Sequence, residues 1–136
     1  MALSGRKSGG SIWPQIDWPY LAATQLALCA RKFTLKTKTP FNDEFQDLIT
    51  CYAWGEIWTR PGLPKHTRSI ATLAMLVALN RPDELKLHLR ASANNGVTRD
   101  EIKELLMQCA IYCGVPAANA AFHMAKEVFA DMDAGK

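Results

Sequence analysis

Arg81-Pro-Asp-Glu-Leu-Lys-Leu-His88-Leu-Arg-Ala-Ser-Ala-Asn-Asn-Gly96 carries helix punctuation at both ends. Pro82 suits the first turn of a helix, where its missing N–H leaves no bond unmade. Asp83 and Glu84 follow and complement the positive end of the helix dipole. Gly96 stands where a left-handed closing residue belongs, a conformation glycine takes without steric cost. Between these ends Leu85, His88, Leu89 and Ser92 recur three or four apart and share one face. His88 is therefore a titratable group on an apolar stripe. It is either a core histidine satisfied by a backbone carbonyl or a working acid–base group.

Working upstream, Asn80-Arg81-Pro82 is a turn, and Lys65 to Leu79 reads as a helix. Ile70, Leu73, Ala74, Val77 and Ala78 share one face of it, and Leu76 and Leu79 widen that face. A helix this apolar is expected at the centre of the core. Thr59-Arg-Pro-Gly-Leu-Pro64 breaks the chain before it. Upstream of the break, Asn42 is a good N-cap, with Asp43 and Glu44 behind it. Phe45, Leu48, Ile49, Tyr52 and Glu56 then recur at helical spacing. Glu56 either continues an inward stripe or marks its solvated end.

Downstream of Gly96, Thr98 and Glu101 form a capping box. Ile102, Leu105, Leu106, Cys109 and either Tyr112 or Cys113 make the buried face of the helix it opens. Gly114 closes that helix, and Pro116 opens a last one through Ala117, Ala120, Ala121, Met124 and Val128. No segment alternates as a strand does. The expected class is all-α, a compact helical bundle with short links between antiparallel neighbours.

The 136 residues suit one core, and a hydrophobic share of 49% excludes a disordered chain. Residues 1–40 carry a net charge of +5, and residues 41–136 carry −2. The main body is thus not a nucleic-acid binder. Met1 to Gly10 reads as a flexible Gly/Ser-rich tail, Leu21 to Phe33 as a helix and Thr34 to Pro40 as a linker. Residues 1–40 are read as an atypical N-terminal segment and 41–136 as the helical domain. No apolar run reaches the roughly 20 residues of a membrane span. Cys29, Cys51, Cys109 and Cys113 include no Cys-x-x-Cys pair, and reduced thiols fit a cytoplasmic protein.

Cys109 and Cys113 lie one helical turn apart and read as small buried hydrophobes. Tyr52, Trp54 and Trp58 form a dense aromatic cluster. Gly55 within it costs about 1 kcal/mol in a helix relative to alanine, which suggests that another backbone approaches closely there. Arg60 and Arg68 flank the proline-rich break. His66 and His123 show no partner pattern, and no group of residues has metal-ligand spacing.

Several motifs now occur in order: Tyr52-Ala-Trp-Gly-Glu-Ile-Trp-Thr-Arg-Pro-Gly-Leu63, Thr67-Arg-Ser-Ile70, Glu84-Leu-Lys-Leu-His88, Asn94-Asn-Gly-Val-Thr98, Glu101-Ile102 and Ile111-Tyr-Cys-Gly-Val-Pro-Ala-Ala118. From about Asn42 to Ala130 the chain resembles the carboxymuconolactone decarboxylase family. The resemblance implies a small all-α subunit assembled into a homo-oligomer, a ring of three or six. It implies a cofactor-free reaction in protocatechuate breakdown, loss of carbon dioxide from 4-carboxymuconolactone to give the enol-lactone of 3-oxoadipate. The wider family includes alkylhydroperoxidases that use Cys-x-x-Cys and a following histidine. Here His88 holds the histidine place, while Arg81 and Glu84 stand where the thiols would be. Residues 1–40 depart from the family, which usually brings an Arg-Arg-x-Val-Leu-Gly-like stretch. A thiol-dependent peroxidase and a non-catalytic helical assembly protein are the alternative readings.

The implied substrate carries two carboxylates and a lactone. Arginines suit carboxylates through bidentate contact, so Arg60 and Arg68 are the expected grips, with Arg90 third. Trp54 and Trp58 would supply an apolar wall. His88, with a reference pKa near 6.5, suits proton delivery or enolate stabilisation. Glu56 would orient His88 or share the proton transfer.

Overall fold

Two helical units, divided between Arg60 and Pro61, carry the described residues, 39–135, of this computed structural model. The expected tail, the Leu21–Phe33 helix, most of the Thr34–Pro40 linker and Cys29 lie outside the described residues.

In the first unit α1 spans Asp43–Ile49 and runs directly into a π-helix, Thr50–Ile57. Asn42 stands at the N-cap, but its side chain does not cap the helix. Its Oδ1 instead accepts from the Thr39 N–H at 2.6 Å and from the Thr39 hydroxyl at 3.1 Å. The wider winding shows in the Trp58 N–H, which donates to Ala53 O at 2.9 Å, five residues back. Changing the turn from four residues to five rotates every later side chain off an α-helical stripe. Phe45, Leu48 and Tyr52 are 58–63% exposed, and Glu56 is exposed, so the stripe does not face inward in this chain. The reason expected for Gly55 also fails. A Cβ built there meets nothing nearer than Thr50 O at 3.5 Å, an ordinary contact.

In the second unit α2 spans Lys65–Ala78, α3 Pro82–Ser92, α4 Arg99–Tyr112 and α5 Val115–Asp133. Asn80 turns the chain between α2 and α3 with φ 51°, a left-handed conformation asparagine tolerates better than most residues. A 3-10 turn, Ala93–Asn95, continues α3 to Gly96, whose φ of 79° is the left-handed closure expected there. The Thr98–Glu101 capping box starts α4 with both reciprocal bonds made.

The core joins all four helices: Leu73 and Val77 of α2, Leu85 and Leu89 of α3, Ile102 and Leu106 of α4, and Ala121, Ala125 and Val128 of α5. Ala78 and Leu79 are exposed, although Val77 beside them is a core residue and Leu76 packs on the core. Cys113 is half-buried, whereas Tyr112 is 79% exposed. On α5 the buried face is Ala118, Ala121, Ala125 and Val128, while Ala120 is exposed. The helix has alanine on several sides, so hydrophobicity alone does not choose its phase.

Two parallel ion pairs tie α3 to α5, Lys86–Glu127 and Arg90–Asp131, each at 2.7 Å. Arg99 grips Asp133 with both Nη atoms and lies over the Phe129 ring, 4.7 Å from its centroid. Such exposed pairs contribute little stability singly, about 0–1 kcal/mol. Among the described residues there is no strand, and no helix is long and apolar enough to cross a membrane.

Candidate functional site

His88 projects from the middle of α3, half-buried between the fully buried Leu85 and Leu89. Burial pushes its imidazole pKa below the ordinary 6.5, and the Glu84 carboxylate opposes this in part. The ring is therefore predominantly neutral near pH 7, able to donate one N–H and accept at the other nitrogen.

Arg68, half-buried in the first turn of α2, donates from Nε to Leu63 O at 3.1 Å. This bond anchors the guanidinium across the proline-rich break. Its flanking residues are tied to the segment beyond α3. His66 Nε2 lies 3.0 Å from Glu101 Oε1, and Asn95 Nδ2 donates to the buried Ser69 Oγ at 2.7 Å. The His66–Glu101 contact joins residues 35 positions apart, a separation that no sequence spacing signals.

Glu101 is pulled down to about 2 by the Thr98 backbone N–H, then by His66 and the Thr98 hydroxyl. It therefore stays ionised at every pH where the protein is expected to work.

In the other unit Trp54 and Trp58 are half-buried, with ring centroids 5.2 Å apart and planes inclined by 37°. Glu56 is exposed, as are Phe45, Leu48 and Tyr52 of the expected stripe. Thr59 Oγ1 caps this end by donating to Gly55 O at 2.6 Å and Glu56 O at 3.0 Å. Arg60 is exposed just beyond. The six residues are thus divided, with Trp54, Glu56, Trp58 and Arg60 in one unit and Arg68 and His88 in the other. Arg90, the third arginine considered, is held by Asp131 at the surface between α3 and α5.

Cys109 is unsuited to nucleophilic chemistry. Cys109 is buried, and burial raises its pKa, with Cys113 adding to the rise. A reactive thiol needs the opposite shift. Among the described residues no cluster of three or more His, Cys, Asp and Glu side chains could hold a metal ion.

The sequence profile of the carboxymuconolactone decarboxylase family matches residues 43–127. The chain belongs to the carboxymuconolactone decarboxylase family. The 4-carboxymuconolactone decarboxylase of Acinetobacter baylyi is 59% identical over 99 residues, covering 73% of this chain and 74% of that protein. The nitrosuccinic acid decarboxylase of Metarhizium robertsii is 42% identical over 98 residues, covering 72% of this chain and 68% of that protein. All six candidate residues lie inside the stretch matched by the family, residues 43–127.

Proposed function

We propose that this chain is a carboxy-lyase that removes carbon dioxide from 4-carboxymuconolactone, without a cofactor, to give the enol-lactone of 3-oxoadipate. The observation that carries this reading is the 59% identity, over nearly three quarters of both chains, to a relative named for that reaction. A second relative is also named as a decarboxylase, so the reaction class rests on two proteins.

The chemistry defines the tasks. The bond from ring carbon to the leaving carboxylate breaks, and its electron pair moves through the ring double bond to the lactone carbonyl oxygen. Carbon dioxide departs, and the enolate takes a proton on the ring carbon beside that carbonyl. Arg68 and Arg60 are assigned the carboxylates, since a guanidinium offers two parallel donors to each. His88 is assigned the enolate, as donor to its oxygen or as proton source. The shift of its pKa by burial supports this, because a half-buried imidazole interacts more strongly with a developing charge than a solvated one. Trp54 and Trp58 are assigned the apolar wall.

Residues 41–136 form the catalytic domain in this reading, and residues 1–40 are an appended segment. The enzyme works in the cytoplasm as a homo-oligomer of three or six subunits. Met107, Ile111, Tyr112 and Val115 support assembly, since they expose 55–79% of their surface along the end of α4 and the start of α5. Adjacent exposed apolar side chains of this kind mark contact surfaces.

The test is an ultraviolet assay of purified full-length protein with 4-carboxymuconolactone, coupled to carbon dioxide detection. Stoichiometric gas release with disappearance of the lactone is expected. A folded protein that leaves the substrate unchanged over the uncatalysed background refutes the proposal.

A further inference from the structure

Arg68 and His88 lie on neighbouring helices joined only by the short turn 79–81, and something has to hold their spacing. Ser69, next to Arg68, is 4% exposed, and its hydroxyl accepts from the Asn95 side chain at 2.7 Å. Asn95 ends the 3-10 turn that prolongs the His88 helix. Counting from His88, four α steps of about 100° and three 3-10 steps of about 120° return Asn95 to within about 40° of the His88 face. The amide is thus a side-chain strut from the face that carries His88 to the residue beside Arg68. On the other side of Arg68, His66 meets Glu101 at 3.0 Å. Arg68 is therefore bracketed by two ties to the chain segment downstream of His88.

We propose that Asn95 is a positioning residue for the decarboxylation: its bond to Ser69 sets the register between the arginine that grips a substrate carboxylate and the histidine that meets the enolate. The role rests on the assignment of Arg68 and His88 made above. Apolar packing holds α2 and α3 together through many dispersion contacts, each shallow and without direction. A hydrogen bond to a buried hydroxyl is directional and weakens within a few tenths of an ångström. Misplacement of a reacting group by about 1 Å costs on the order of 10²-fold in rate, so a partial slip is enough to be seen in kcat. The hydroxyl left by Asn95→Ala can turn to a carbonyl in the preceding turn of its own helix. The fold is therefore expected to survive while the register relaxes.

The experiment is a double-mutant cycle in the full chain, with Asn95→Ala, Ser69→Ala and both together, read as kcat and KM beside circular dichroism, melting temperature and oligomeric state. Each single variant is expected to lose about 10- to 10²-fold in kcat, with KM changed less than kcat. The double variant is expected to be no worse than either single, because both remove one bond. Asn95→Asp, whose carboxylate accepts from the Ser69 hydroxyl, is expected to recover most of the lost kcat. Ser69→Ala removes only one oxygen and supplies the answer if Asn95→Ala does not fold. Melting temperatures that fall while kcat stays normal show a purely structural bond and overturn the role, as do losses that add in the double variant. A wild-type protein with no turnover overturns the reaction itself, and this role with it. Wild-type turnover with an unaffected cycle overturns only the role of Asn95.

Discussion

His88→Gln tests the centre of the proposed chemistry. Glutamine keeps a similar reach and one amide N–H, but it neither gains nor loses a proton near neutral pH. The imidazole is held below its ordinary pKa of 6.5 by burial, so at pH 7.5 roughly nine-tenths or more of it is neutral. Two roles remain for such a ring, and they separate in the assay. As a proton source it contributes about 10²–10⁴-fold, or roughly 3–5 kcal/mol of barrier at 1.36 kcal/mol per tenfold. As a neutral donor to the enolate oxygen it would be replaced in large part by the glutamine amide. The first role is expected, with the loss falling on kcat because the interaction belongs to the transition state. In that role the wild-type kcat declines as pH rises above the lowered pKa, and His88→Gln removes this dependence. Stability supplies an independent check on the burial. Between the unfolded pKa near 6.5 and the lower folded one, the unfolded chain binds more protons. Stability therefore falls as pH drops through that window, and His88→Gln flattens this slope. Steady-state kinetics across pH on a correctly assembled variant decide the matter. Near-normal kcat in His88→Gln would return His88 to a histidine that merely completes the core.

Four further outcomes are expected. Arg60→Gln and Arg68→Gln should each raise KM at least as much as they lower kcat, because they are assigned to a ground-state carboxylate; an unchanged KM in either removes that arginine from the site. Cys109→Ser combined with Cys113→Ser should leave kcat per folded subunit intact, since Cys109 is buried with its pKa raised; loss of turnover in a folded double variant would revive thiol chemistry. Leu89→Ala, at a core position only 1% exposed, should cost about 2–5 kcal/mol in denaturant unfolding, and a cost below 1 kcal/mol would mean that the site collapses freely. Glu101 has its pKa lowered from 4.5 to about 2, so its contribution to stability is complete above 4.5 and lost as pH falls towards 2. Glu101→Gln should therefore melt lower than wild type at pH 7, with the difference shrinking through that acid window; a constant difference would contradict the assignment.

Much of the fold was legible in local chemistry. Pro82 and Gly96 bound the His88 helix and its 3-10 extension, and Thr98 with Glu101 forms the capping box read from the sequence, because caps depend on groups within one turn of each other. The ordered motifs also pointed to the family before any contact was known. Other features depended on which turn width or helix phase packs best. Nothing local marks Thr50 as the start of a π-helix, whose wider turn takes Glu56 out of α-helical register with Phe45 and Leu48. The phase of α5 was legible in part: Ala121 and Val128 are buried and Ala117 and Met124 pack on the core as expected, whereas Ala118 and Ala125 are buried in place of Ala120, because alanine reads alike on every side. The ties flanking Arg68 join residues 26 and 35 positions apart. By itself the sequence determined the helices of the second unit, their caps and the reaction to be tested. The tertiary structure alone decided the partners of His66 and Ser69 and the half-burial of His88, since these follow from distances across the bundle rather than along the chain.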